Sequence, residues 1–161
     1  MTIKAGDKIP SHTFHIMSDD GPATMSTDEL FAGKKVVLFG VPGAFTPTCH
    51  ANHLPGFVEH NDAIKAKGVD TIAVTTVNDV HVVNAWHKAS GAGDKVVFLS
   101  DGNADFAKAA GLEIDLGMAG MGMRSKRYSM IVDNGVVTQV NIEENPGEAE
   151  TSSAATILGQ L

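Results

Sequence analysis

Cys49 is the only thiol in the 161 residues of the chain. No internal disulfide can form, so the sulfur is either an inert buried group or a reactive one. The residues before it, Val41-Pro42-Gly43-Ala44-Phe45-Thr46-Pro47-Thr48, favour reactivity. Thr46 suits a helix cap and Pro47 the first helical position, which places Cys49 in the first turn. Backbone N–H groups there lack partners and carry partial positive charge, which favours thiolate over thiol.

A second source of positive charge must come from elsewhere in the chain. Arg124, Lys126 and Arg127 form the one tight basic cluster beside a predicted strand. Arginine is the better partner, because its planar fork can hold a sulfur and a substrate oxygen together. Thr46 shares a turn with Cys49, so its hydroxyl can reach the sulfur. Pro42 can shield the site from water without offering a competing N–H. A thiolate flanked by donors, with no evident base, suits attack on a peroxide: sulfur takes one oxygen and becomes a sulfenic acid. Acyl transfer would instead require a histidine touching the thiol. His50 is poorly placed for that, since helical neighbours diverge by about 100°.

The elements that must position these groups alternate between strand and helix. His12 to Met17, with a turn at Asp20-Gly21-Pro22, reads as an N-terminal hairpin, and Thr27 to Phe31 as a short helix stopped by Gly33. Val36-Val37-Leu38-Phe39 is an unbroken apolar run, as expected of a central strand covered on both faces. The helix carrying Cys49 should kink or restart at Pro55 and run to about Lys67. Thr71 to Thr75 and Val96 to Leu99 read as strands, Asp79 to Ala89 and Ala104 to Ala110 as helices. Arg127 to Val132 and Val136 to Val140 flank Asn134-Gly135, a hairpin signal, and a last helix is expected from Ser152 to Leu158. Gly117 to Met123 reads as a flexible loop. The pattern predicts one α/β domain over residues 1–161, with a mixed central sheet flanked by helices.

Nineteen acidic against twelve basic residues give a net charge of −7, which argues against nucleic acid. No apolar run is long enough for a bilayer, and Met1 to Asp7 lacks the apolar core of a signal peptide. With a lone cysteine, these features point to a reducing cytoplasm.

The segment Pro42 to Cys49 resembles the peroxiredoxin signature: a proline, then Thr, then the peroxide-reacting Cys. Together with Leu54-Pro55-Gly56, Val77-Asn78-Asp79 and Lys126-Arg127-Tyr128-Ser129-Met130, the chain is similar to the Prx5 group over essentially its whole length. The resemblance implies a thioredoxin-like fold with an N-terminal β-hairpin, and reduction of hydrogen peroxide and alkyl hydroperoxides. It implies that Cys49 is the peroxidatic cysteine, Thr46 the hydrogen-bonding hydroxyl, Pro42 the shield and Arg127 the arginine of the site. The Cys49 N–H would complete that site, and a homodimer is implied as well.

Some Prx5-like proteins carry a resolving cysteine near the C-terminus, where this chain reads Glu150-Thr151-Ser152-Ser153. An external thiol must therefore reset Cys49. The resemblance adds glutathione or glutaredoxin as the expected reductant, with thioredoxin as the alternative; glutathione would be a co-substrate, and no cofactor is expected.

His50, His53 and His60 fall near one helical face without completing a ligand set, so a solvated face and no metal site are expected. The methionines from Met118 to Met123 suit either a channel for organic peroxides or plain packing. Gly91-Ala92-Gly93 and Gly117 to Gly122 lack the ending of a phosphate loop. Two rival functions remain at this level: a redox sensor using the same cysteine, and a cysteine hydrolase with a histidine base.

Overall fold

The computed structural model describes residues 1–161. Strand β1 (Thr13–Ser18) pairs antiparallel with β2 (Gly21–Ser26), and the tight turn lies at Asp19-Asp20. The turn thus sits one residue earlier than the sequence suggests. Pro22 instead lies in β2 opposite Met17, on the sheet edge where a missing N–H costs nothing. Helix α1 (Thr27–Phe31) starts with a capping box between Ser26 and Glu29.

Strand β3 (Lys35–Val41) is the centre of the fold. It runs parallel to β4 (Thr71–Thr76) and antiparallel to β8 (Tyr128–Asp133). The seven-stranded sheet is completed by β5 (Val97–Ser100) and β9 (Val136–Ile142), in the order β2-β1-β5-β4-β3-β8-β9. Because side chains alternate along a strand, Val37, Phe39 and Val41 enter one core and Val36 and Leu38 the other. The first core is roofed by α2 (Leu54–Glu59), α3 (Asn61–Ala66), α4 (Val80–Ser90) and α6 (Ala154–Gln160). The second lies under α1 and α5 (Asp105–Ala109). Gly40 faces Tyr128 across the β3–β8 pair, where any Cβ would collide with the tyrosine ring. No helix is long and apolar enough to cross a membrane.

Two regions differ from the sequence expectation. Residues Cys49–His53 form a π-helical turn closed by Leu54 N–H on the Cys49 carbonyl, and α2 follows with Pro55 in its first turn. Proline there removes an N–H that a fresh helix start does not use. The helix then breaks at His60 before α3, so it does not reach Lys67 as one piece. The methionine segment is a loop as expected, but it closes a small hairpin that the sequence pattern does not announce. Strands β6 (Glu113–Asp115) and β7 (Met123–Ser125) pair antiparallel around a 3-10 turn at Gly117–Ala119. Three-residue strands carry almost no periodic signal, which is why the pattern hides them. Asn134 and Gly135, both at positive φ, form the predicted β8–β9 turn.

Candidate active site

The site lies where β3 ends and the chain turns into the helical region, beyond the carboxyl edge of the sheet. Asn78, just past β4, pins the turn: its Oδ1 accepts from the Ala44 N–H at 2.9 Å and from the Thr76 hydroxyl at 2.7 Å. Arg124 braces the same turn from the other side, donating to the carbonyls of Met121 (2.8 Å) and Val77 (3.0 Å). Phe45 takes a left-handed φ of 64°, unusual for a bulky side chain, and stands exposed on the turn.

Pro42 is buried at the end of β3. The Thr46 carbonyl accepts the His50 N–H at 2.9 Å, so the helix does begin where Thr46-Pro47 places it. The hydroxyl does not cap it, however. Thr46 Oγ1 lies 2.8 Å from the Gly43 carbonyl and 2.8 Å from Cys49 Sγ. One hydroxyl proton cannot serve both. With a thiol, S–H donates to Oγ1 and the hydroxyl donates to Gly43; with a thiolate, the hydroxyl proton turns to sulfur. Thr46 therefore matches either protonation state without moving a heavy atom.

Cys49 is fully buried. Arg127, only 2% exposed, points Nη2 at its sulfur from 2.9 Å. The other guanidinium donors reach the Pro146 carbonyl (Nε, 2.9 Å) and His53 Nδ1 (Nη1, 3.0 Å). No carboxylate pairs with Arg127: the one Lys or Arg side chain paired with a carboxylate is Lys4, on Asp7. A buried cation needs a compensating charge. Among the groups its donors touch, only the Cys49 sulfur can carry one.

One of the three histidines departs from expectation. His50 is exposed and accepts the Trp86 indole N–H at 3.2 Å. His53 is not part of a solvated face: it is 2% exposed and lies between Arg127 and the Ser152 carbonyl, 2.9 Å from Nε2. Burial, joined by the charge of Arg127 and opposed by the Ser152 bond, holds its pKa down at about 3. A signal was present in the sequence. Leu54, Phe57 and Ile64 form the apolar stripe of this helical region, and His53 stands four residues before Phe57, inside that stripe.

The arrangement can hold a thiolate and present two donors to an oxygen bound beside it, and it places no general base on the sulfur. Residues 4–158 match the Redoxin family. A rice relative (Oryza sativa subsp. japonica), chloroplastic peroxiredoxin-2E-2, is 48% identical over 99% of this chain and 73% of its own length. The chain belongs to the peroxiredoxin family. A second relative, the hybrid peroxiredoxin hyPrx5 of Haemophilus influenzae, is 42% identical over 100% of this peroxiredoxin and 67% of its own length. The crystal structure of reduced Prx3 from Vibrio vulnificus in complex with hydrogen peroxide superposes with a TM-score of 0.93 at 50% identity, covering 99% of both chains. This peroxiredoxin is accordingly a thiol peroxidase, an antioxidant oxidoreductase of thioredoxin-like fold. It is Prx5-like and, with its single cysteine, of the one-Cys type.

Proposed function

We propose that Cys49 is the peroxidatic residue, reducing hydrogen peroxide and alkyl hydroperoxides, with Thr46 and Arg127 binding the peroxide and Pro42 excluding water. The thiolate attacks the outer oxygen of ROOH, the O–O bond breaks, and the alkoxide leaves to take up a proton as ROH. Cys49 becomes a sulfenic acid. Its N–H and the Arg127 fork supply donors for charge building on the leaving oxygen. One thiol then displaces water to give a mixed disulfide, and a second releases Cys49. Two electrons pass from two thiols to one peroxide.

The observation that carries this reading is the convergence of a carboxylate-free buried arginine and a threonine hydroxyl on the one sulfur. Glutathione, with glutaredoxin, is the reductant we propose. With no second thiol in the chain, reset must be intermolecular. The sulfur is fully buried, so the π-helical turn must open for a tripeptide to reach it. We further read the chain as one domain over residues 1–161, cytoplasmic and homodimeric. Exposed Phe45, beside the site, and exposed Met118 and Met123 offer apolar contact surface for a second copy. Sedimentation at micromolar concentration should give a dimer; a monomer would remove that part.

Stopped-flow oxidation of the reduced protein should consume one peroxide per chain and add one oxygen by mass. Cys49→Ser should leave only background; equal rates would end the reading. Sustained turnover with glutathione and glutaredoxin is expected, and it separates a peroxidase from a sensor, which would oxidise once and stop. Turnover with thioredoxin alone would replace the reductant.

A further inference from the structure

The guanidinium of Arg127 is held at three points, and only one of them is a side chain other than Cys49. Nε is fixed by the Pro146 carbonyl, Nη2 faces sulfur, and Nη1 faces His53 Nδ1. Arginine has no acceptor, so Nδ1 must present a lone pair to it. Nε2 faces the Ser152 carbonyl and must therefore carry the ring proton. The tautomer follows from the partners alone.

Ser152 is itself clamped. Its N–H donates to Glu143 Oε2 at 2.6 Å, and its hydroxyl donates to the same oxygen. Glu143 in turn donates its backbone N–H to the Arg127 carbonyl at 2.9 Å. The bonds close a circuit: Arg127 backbone, Glu143, Ser152, His53, and back to the Arg127 side chain. Every member is at most 7% exposed. A histidine in the π-helical turn at Cys49–His53 thus meets the segment between β9 and α6, and both converge on one guanidinium.

We propose that His53 is a positioning residue of the peroxide site: its unprotonated Nδ1 accepts a hydrogen bond from Arg127 Nη1 and so aims Nη2 at the Cys49 sulfur. This rests on the reading of Cys49 and Arg127 given above. A neutral acceptor has a distinct use there. A carboxylate would orient the fork equally well, but it would neutralise the charge that the thiolate and the leaving oxygen need. Imidazole orients the fork and leaves its charge undiminished. Without it, the guanidinium can swing about the Nε–Pro146 bond, and a displacement of about 1 Å at a reacting centre costs on the order of a hundredfold.

Two substitutions separate the ring nitrogens. In Asn the side-chain oxygen falls near the place of Nδ1, so His53→Asn keeps the acceptor for Arg127. In Gln the amide falls near Nε2, so His53→Gln keeps the bond to Ser152 and loses that acceptor. Each reduced variant is treated with hydrogen peroxide and, separately, with iodoacetamide, which needs a thiolate but no oxygen-binding donors. H53N should stay within about threefold of wild type with both reagents. H53Q should lose about tenfold or more with peroxide while its alkylation changes less than about threefold. Equal peroxide rates for the two variants, or a parallel loss of both reactions in H53Q, would overturn the proposal. Should H53Q not fold, Glu143→Gln loosens the Ser152 end of the circuit without touching His53 or Arg127. Slowed peroxide reaction with alkylation intact then supports the proposal, and equal relative rates with both reagents overturn it. A Cys49→Ser protein that still reacts with peroxide would instead break the functional reading on which this rests.

Discussion

On one face of the sheet, Arg127 aims two of its donors at a sulfur and a neutral histidine; on the other, Asp101 accepts the backbone N–H groups of Phe106 (3.0 Å) and Ala107 (2.9 Å). Both charged groups are 3% exposed or less, and each has a histidine beside it. His12 Nε2 lies 3.6 Å from Asp101, and its ring packs edge-on against Phe14. The difference lies in where the bonds end. Asp101 ties off the first turn of α5 with donors that belong to the backbone and cannot leave. Arg127 ends on the atom that, in the function proposed above, changes charge and gains oxygen during a turnover. A buried ion and a histidine therefore do not make a reactive site; an exchangeable partner does.

The first way to break this comparison is at Arg127. Arg127→Ala should slow oxidation of Cys49 by hydrogen peroxide about a hundredfold or more, the usual cost of removing a transition-state donor. A rate near wild type would show that the buried cation is structural, like Asp101. Thr46→Val keeps the shape and removes the hydroxyl. It should lower the same rate constant by about tenfold or more, with melting temperature little changed. Substituting Asp101 should do the reverse.

Acid sharpens the contrast, because the two clusters respond with opposite sign. His53 titrates near 3 when folded and near its ordinary 6.5 when unfolded. Between those values the unfolded chain binds the extra proton, so stability rises with pH and is lost as pH falls below about 6.5. Relative to His53→Asn, wild type should lose about 1.4 kcal/mol per pH unit between pH 6 and 4, measured by urea unfolding. Burial pushes the Asp101 carboxyl up instead. Just above the ordinary carboxylate value the folded chain holds the proton and the unfolded chain does not, so this group favours the fold as pH falls. Asp101→Asn forfeits one backbone bond and should cost about 1 kcal/mol at pH 7, with the gap widening toward pH 4. Its peroxide rate should stay within about twofold of wild type. A large loss would mean that the far face of the sheet also shapes the reactive site.

Much of this was readable in the chain. The apolar run of β3, the Asn134-Gly135 turn and the Thr46-Pro47 helix start each rest on one dominant local preference, and each forms within a residue or two of its expected place. Cys49, Thr46 and Arg127 do meet. His53 escaped because a regular helix of 3.6 residues per turn would group it with His50 and His60. The i→i+5 turn at Cys49–His53 rotates it away from exposed His50 and into the core. Its partner Ser152 lies 99 residues further on, and no local pattern reports a pairing at that range. The cap expected of Thr46 does not form, although its contact with sulfur does, for a simpler reason. Capping and sulfur contact demand the same residue at the same place, and only the rotamer decides between them.

The indole of Trp86 touches the residue next to Cys49, through its bond to His50. It is the only tryptophan in the chain and is fully buried. An opening of the Cys49 turn that moves His50 breaks that bond and changes the medium around the one strongly emitting ring. The molecule thus carries its own optical gauge of whether the sulfur is enclosed or offered, readable during turnover without a label.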